Sequence, residues 1–341
     1  DGEFDEPCVL HAALQAAVAE LFANTGPTGQ RAIEAMGRKM GEAARDGIDS
    51  TVVDRSVAYG QVVAEHILAW SRVDGGAVIE NMGFPMEYVP GTRPQDWVPT
   101  NLIRLQQTPL LPDWARNRPF AMPSAAAADP GPHPDYDETP GSAFHAHALE
   151  VYDTGRNLTD EQKLIARFWS DDPMLTPTPA GHWIAIVIQI AERDALPVEV
   201  ISSTLAKLGV AQADAFIACW DTKFRYNLLR PVTYIKRHID PAWEPLLITP
   251  PFPEYTSGHS TQSGAASTVL TAIFGDTFAF DDETHVDEGL PVRSYPSFAA
   301  AADEAAVSRL YGGIHYPFGN EKGLEQGRAV GAYAAALRTE A

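Results

Sequence analysis

Pro250 to Gln262, PPFPEYTSGHSTQ, is the stretch on which the reading of this chain turns. Its prolines, Pro250, Pro251 and Pro253, remove backbone donors and keep the approach extended. An Ala/Ser/Thr-rich run, Gly258 to Phe274, then reads as a helix. A loop feeding a helix N-terminus is an anion site, because the first N–H groups point outward unpaired and the helix dipole favours negative charge. Ser257 adds a hydroxyl, Gly258 an unhindered N–H, and His259 an imidazole able to move a proton onto or off an anion. A Ser-Gly pair before a helix also serves as a plain cap. The neighbouring clusters decide between the two.

Upstream, a helix predicted over 211–229 carries Lys223, and Arg230 follows seven residues later. Two helical turns put both on one face, where they can converge on one anion. Pro231 marks that helix's end. Downstream lies Ser308-Arg309-Leu310-Tyr311-Gly312-Gly313-Ile314-His315. On a continuous helix Arg309 and His315 would sit about 240° apart. They can share a site only if the helix ends between them, and Gly312-Gly313 stand where C-cap glycines belong.

With these residues in place, the chain resembles a known superfamily. Lys223-x6-Arg230-Pro231, Ser257-Gly258-His259 and Ser308-Arg309-x5-His315 match its three-part signature. The superfamily joins vanadium-dependent haloperoxidases to type 2 phosphatidic acid phosphatases and bacterial acid phosphatases. Ala148–Trp183 also looks like the bacterial haloperoxidase-like branch, so the likeness covers about the C-terminal two thirds.

The resemblance implies an all-α helical bundle of the vanadium haloperoxidase and acid phosphatase type, with vanadate or phosphate in the cage. Lys223, Arg230, Arg309, Ser257 and the Gly258 N–H would hold the anion's oxygens. His315 would bond to the central atom, as the one metal ligand, and His259 would be the acid–base. With vanadate the reaction is halide oxidation by hydrogen peroxide. With a phosphate ester the same cage serves a metal-free phosphomonoesterase with His315 as nucleophile. A non-catalytic oxyanion binder is the third reading, and the presence of both histidines argues against it, since a binder needs no general acid.

Two departures from the family pattern stand out. Thr256 occupies a position that is often proline. Gly319, followed by Asn320, occupies one that is often an aspartate orienting an arginine, which leaves Asn320 or Asp221 to replace it. Trp220 and Phe252 are candidate pocket residues, matching apolar aromatics of fungal chloroperoxidases where algal bromoperoxidases are polar.

The rest of the chain bounds these readings. At 341 residues and a formal charge of −20, with 45% hydrophobic residues, it is an ordinary globular protein with ample core. The acidic balance argues against nucleic acid or an anionic membrane surface as partner. Small molecules are the expected partners: hydrogen peroxide, halide, and an organic acceptor or phosphate ester. A homodimer is compatible with the sequence. The longest mainly apolar run, Trp183 to Ala191, is far shorter than the roughly 18 residues of a membrane span, which also disfavours a lipid phosphatase. Two cysteines, Cys8 and Cys219, allow one disulfide and no cysteine-rich metal site. The chain begins at Asp1, as after processing or trimming, and a secreted or periplasmic location is expected.

Helical periodicity runs through Val9–Asn24, Gly29–Asp46 and Thr51–Trp70, with His11 and His66 as ordinary surface or core histidines. Residues 1–341 read as a single mainly helical domain. Within it, 75–141 is an irregular proline-rich segment and 142–341 the catalytic core. His133, with Asp135 and Asp137 nearby, falls in a solvated acidic loop. Thr159 and Gln162 form a capping box. His145 and His147 point in opposed directions on a helix and are discounted as a site. Thr176–Pro179 reads as a turn, His182 as structural, and Pro197–Lys207 and Ala211–Leu229 as two helices.

Overall fold

A computed structural model of the protein describes residues 2–76, 79, 88–100, 108–171 and 178–339. Among these there are eleven α-helices and one short two-stranded ribbon. They divide into two compact units, Asp1–Val78 and Ile79–Ala341.

In the first unit, α1 (Glu6–Leu21), α2 (Pro27–Arg45) and α3 (Ser50–Ser71) follow the predicted periodicity. Asp5 caps α1 by accepting the Cys8 N–H, and Asp49 caps α3 through Thr51 N–H. Glycine 60 lets α3 meet α1 closely: a Cβ there would lie 2.4 Å from the Val9 carbonyl oxygen. His11 bonds the Gly37 carbonyl oxygen at 2.9 Å, and His66 is exposed. Both are ordinary histidines.

The second unit contains α4 (Ala143–Arg156), α5 (Asp160–Phe168), α6 (Pro179–Arg193), α7 (Val198–Tyr226), α8 (Pro231–His238), α9 (Gly258–Phe274), α10 (Phe298–Tyr311) and α11 (Pro317–Ala335). The capping box at Thr159 and Gln162 is formed in both directions. Strands β1 (Phe280–Asp282) and β2 (Arg293–Tyr295) pair antiparallel, Phe280 opposite Tyr295. The two helices expected across 197–229 are one helix of 29 residues. Gly209 is the only glycine in it, and a lone exposed glycine weakens a helix without ending it.

Residues 88–100 and 108–141 are irregular apart from 3₁₀ turns at Trp114–Arg116 and Ala125–Ala128. They are tied down by backbone bonds rather than by periodicity. Trp97 N–H donates to the Asn227 carbonyl and Leu229 N–H to that of Gln95, both at 2.8 Å. The buried Asp214 carboxylate accepts the N–H groups of Phe120, Ala121 and Met122. His133 is not in a solvated loop. Its ring is partly buried against Phe144, Tyr226, Tyr255 and Phe318, because the adjacent prolines fold it onto that aromatic cluster. Pro85 and the first half of the Thr176–Pro179 turn lie outside the described residues. Cys8 and Cys219 are both free and buried.

The closest helix pair is α9 with α11, and glycines make it possible. Gly319, Gly323, Gly327 and Gly331 recur every four residues on α11 and so form one ridge. A Cβ at Gly323 would stand 2.8 Å from the Ser257 carbonyl oxygen, at Gly327 2.1 Å from that of Thr261, and at Gly331 2.6 Å from that of Ala265. The backbone of α9 occupies the space where side chains would be. Replacing Gly327 with Ala should therefore cost about 1–3 kcal/mol through forced separation. Gly209→Ala, with nothing near the added methyl, should gain about 0.5–1 kcal/mol. Denaturant midpoints of the two variants test this, and a stable Gly327→Ala would refute the close packing.

Candidate active site

The predicted residues come together at the N-terminus of α9. Lys223 is fully buried in the last turn of α7. Its ammonium donates to the carbonyl oxygens of Pro253, Glu254 and Thr256 at 2.9, 3.0 and 2.5 Å. All three donors thus hold the PEYT loop in shape. Burial and the nearby Arg230 push the Lys223 amine down to about 8.

Arg230 is not on the Lys223 helix. That helix stops at Tyr226, Asn227 turns left-handed at φ 51°, and Arg230 is the extended N-cap of α8. The two cations converge because the chain breaks between them, and the expected two-turn spacing plays no part. Arg230 donates through Nε to the Phe252 carbonyl and through Nη1 to that of Ile314, each at 2.9 Å. Its Nη2 is a buried donor without a partner.

The break at Gly312-Gly313 is present, with Gly313 at φ 76°, and His315 lies between α10 and α11. Its Nδ1 is 2.7 Å from Glu254 Oε1, which also accepts the Tyr316 N–H at 3.1 Å. A carboxylate partner fixes the proton on Nδ1 and leaves the lone pair on Nε2. There Arg230 Nη1 donates at 2.9 Å. Burial and the surrounding Arg230, Lys223 and Arg309 charges hold the His315 ring well below its ordinary range, so it is neutral.

The carboxylate beside the cage is Glu254, which bonds His315 and not an arginine, and neither Asn320 nor Asp221 bonds a cage arginine. Asn320 Oδ1 has no partner, and Asp221 pairs with Arg225. A Cβ at Gly319 would lie 2.2 Å from Glu254 Oε1, so the glycine is what admits the carboxylate. Burial pushes the Glu254 carboxyl up to about 7 against the pull of Lys223 and Arg230. Thr256, at the position that is often proline, is held by its hydroxyl on Gln326.

Arg309, on the last turn of α10, is buried and donates to Ser308 Oγ at 2.9 Å and the Ala166 carbonyl at 3.1 Å. Ser257 caps α9, its hydroxyl accepting the Ser260 N–H. A Cβ at Gly258 would find nothing nearer than the Trp220 ring at 4.0 Å, so room for a side chain lies open at its Cα. His259 is 17% exposed at its side chain, where His315 is almost closed off at 3%. Burial and Arg309 push the His259 ring down to about 3, with Asp171 opposing. Trp220 and Phe252 pack ring to ring at 5.0 Å, and the Phe252 ring faces both Lys223 and Arg230.

Sequence reasoning missed Glu254, Asp171 and the residues behind Asp171. Glu254 had a faint signal, a lone acid in an otherwise apolar proline-rich approach. Asp171 had none.

Among the described residues, Lys223 and Arg230 are both buried beside one carboxylate, Glu254. Buried ions without partners are costly. The orphaned Arg230 donor and the open space at Gly258 fit a compact oxyanion. These features define a helical-bundle oxyanion site flanked by two histidines. The sequence family described as VCPO second helical-bundle domain matches residues 203–340, which include all these cage residues. The curated vanadium chloroperoxidase of Curvularia inaequalis is 26% identical over 44% of this chain, and the match spans 35% of that protein's length. A structure described as the first bacterial vanadium-dependent iodoperoxidase is 42% identical, with TM-score 0.83, covering 95% of this chain and 78% of the other. A holo bacterial vanadium-dependent chloroperoxidase shares the fold at TM-score 0.75 and 18% identity, covering 96% of this chain and 81% of its own. The chain belongs to the vanadium-dependent haloperoxidase family.

Inorganic phosphate should stabilise the protein by filling the cage, by about 2.7 kcal/mol at a hundredfold excess over Kd. The effect should fade as pH rises through about 8, where Lys223 loses its proton. The sign follows because the anion binds the charged amine, while phosphate itself only gains negative charge over that range and so cannot cause the loss. Melting temperatures with and without phosphate at neutral and alkaline pH check it. A phosphate-induced rise that does not shrink with pH would rule out the Lys223 contribution.

Proposed function

We propose that the protein is a vanadate-dependent haloperoxidase, oxidising halide with hydrogen peroxide to a hypohalous species. The observation that carries this reading is the buried cage of Lys223, Arg230 and Arg309 beside a His315 held neutral, its Nε2 lone pair facing Arg230. Arg230, Arg309, Ser257 and the Gly258 N–H would hold vanadate's oxygens, and Lys223 would add its charge from beneath the loop. His315 would hold the vanadium. Bound vanadate supplies a Lewis-acidic centre that activates peroxide for oxygen transfer to halide.

The protein's own residues do the rest. Fixed cations stabilise charge that grows during reaction without having to reorganise. Glu254 keeps the proton on His315 Nδ1. His259, the more exposed histidine, takes a proton from the incoming peroxide oxygen at its ring nitrogen and returns it to the leaving oxygen. Trp220 and Phe252 wall the cage with apolar surface, which excludes water from the cations. Iodide is the first halide to test, since the 42% identical relative is described as an iodoperoxidase. The same cage also suits a phosphate monoester, with His315 Nε2 as nucleophile and His259 protonating the leaving oxygen.

Iodide- and bromide-dependent halogenation of a dye, with and without vanadate, tests the reading against p-nitrophenyl phosphate hydrolysis. His259→Ala should still bind vanadate and lose roughly 10²–10⁴-fold in turnover. His315→Ala should lose vanadate binding itself. If vanadate binding survives in His315→Ala and vanishes in His259→Ala, the two roles are exchanged.

Glu254→Ala should separate the two anions. Phosphate, held by charge, should bind at least as tightly once the competing carboxylate is gone. Vanadate, which needs the oriented His315 lone pair, should lose 10–100-fold, the usual effect of removing a residue that orients a metal ligand. Parallel losses for both anions, read by calorimetry, would argue against that orientation.

A further inference from the structure

Behind His259 lies a buried cluster that the cage does not use. Asp171 follows α5, His182 is in the first turn of α6, Asp282 ends β1, and His285 begins the turn Val286–Glu288. All four are almost wholly buried. His182 Nδ1 is 2.9 Å from Asp171 Oδ1, and its Nε2 is 2.8 Å from Asp282 Oδ2. Two ring nitrogens each facing a carboxylate oxygen require two N–H groups, since a lone pair there would meet an acceptor. His182 is therefore an imidazolium, and Trp169 stacks on its ring with centroids 4.4 Å apart. His285 Nε2 is 3.3 Å from the same Asp171 Oδ1, and its Nδ1 is 3.1 Å from Glu288.

Asp171 thus has one oxygen occupied by two histidines. Its other oxygen, Oδ2, is buried without a hydrogen-bond partner and lies 3.7 Å from His259 Nε2, which is equally unpartnered. We propose that His182 is a positioning residue for His259: locked as an imidazolium between Asp171 and Asp282, it pins Asp171 beside His259 and screens part of its charge. A bare carboxylate would clamp His259 as a permanent salt bridge, and a missing one would leave no support for its protonated form. The screened carboxylate lets the proton come and go.

The groups facing His259 agree in sign with this role. Burial and Arg309 lower its affinity for a proton, Asp171 raises it, the Ser170 backbone raises it and His182 lowers it. Around His182, burial opposes the charge while Asp171 and Asp282 together push it up to about 10. Burial would raise the Asp171 carboxyl, but His182, His285 and His259 hold it well below the usual range. Asp171, His182 and His285 also offer ligand atoms within 4.8 Å of one another. A metal would need a lone pair that His182, with a carboxylate at each nitrogen, does not have.

The proposal rests on His259 as the acid–base group, and its test reads the unloaded protein. Protein labelled with ¹⁵N-histidine and free of vanadate and phosphate is titrated by NMR, with Asp171→Asn, His182→Gln and Asp282→Asn alongside. His182 should read as doubly protonated from mildly acid to mildly alkaline pH. The His259 pKa should fall in Asp171→Asn and rise by about one unit in His182→Gln, as the unscreened carboxylate pairs with it. Asp282→Asn should move it upward by less, and it retains the His182 ring should His182→Gln fail to fold. Shifts in one common direction, a singly protonated His182, or a rise in melting temperature with zinc alone would overturn the proposal. In the halide assay the pH limb of kcat should follow these shifts while KM for halide stays put. If the NMR shifts appear but no variant, nor the wild type, turns over halide or phosphoester, the inference stands and the haloperoxidase reading falls.

Discussion

The structure depends on how closely the backbones of α9 and α11 approach. Side chains on facing helices normally keep the axes 8–10 Å apart. Three glycines at four-residue spacing, Gly323, Gly327 and Gly331, remove that spacer along one edge of α11, and a fourth, Gly319, admits Glu254. The consequence reaches the chemistry, because α9 begins with Ser257-Gly258-His259 and α11 begins two residues after His315. Seating one helix on the other sets the distance between the two histidine segments. Ser257 N–H donates to the Gly319 carbonyl at 3.0 Å, a direct link between the two starts. Gly319 then has two tasks, since the same missing side chain admits Glu254.

Burial of Lys223 and Arg230 would be costly without compensation, and much of the compensation is backbone. Lys223 spends its three N–H groups on carbonyls of the PEYT loop, and Arg230 spends two on Phe252 and Ile314. Carbonyl dipoles offset part of the desolvation of Lys223 and Arg230, and the Glu254 carboxylate offsets more. The result is rigid. A cage built this way is preorganised, because the groups that hold the loops are the groups that set the potential. The same economy makes the site sensitive, since removing a cation also frees a loop.

The signature residues were legible because their chemistry is local. Ser257, Gly258 and His259 are contiguous, and the Gly312-Gly313 break announces where a helix must stop. The fold class followed from periodicity, and α9 was read to the residue. The Lys223–Arg230 pair was found through a helical spacing that does not exist, since Asn227 ends the helix and the extended strap at Gln95–Trp97 holds the next turn. Glu254, Asp171, Asp282 and His285 were not found. Each matters only through partners 11 to 114 residues away, and nothing in their own neighbourhoods carries a period or a motif. His182 was read as structural, and the two carboxylates at its ring nitrogens are residues that the sequence does not place beside it.

Two histidines with the same side chain are given different surroundings by the carboxylates beside them. His315 meets Glu254 at 2.7 Å, inside hydrogen-bond distance, and is almost fully enclosed. That fixes one tautomer and one lone pair, which is what a ligand or nucleophile needs. His259 meets Asp171 at 3.7 Å, outside hydrogen-bond distance, and keeps some exposure. A carboxylate at that range supports a proton on the ring without capturing it. On the proposed roles, the one ångström of separation, with Gly319 admitting Glu254 on one side and His182 bonded to Asp171 on the other, would distinguish a group that stays put from one that changes state. Environments that push two identical groups apart let one fold run opposite proton chemistry at one pH, and the two proposed roles would here be set by Glu254 and Asp171.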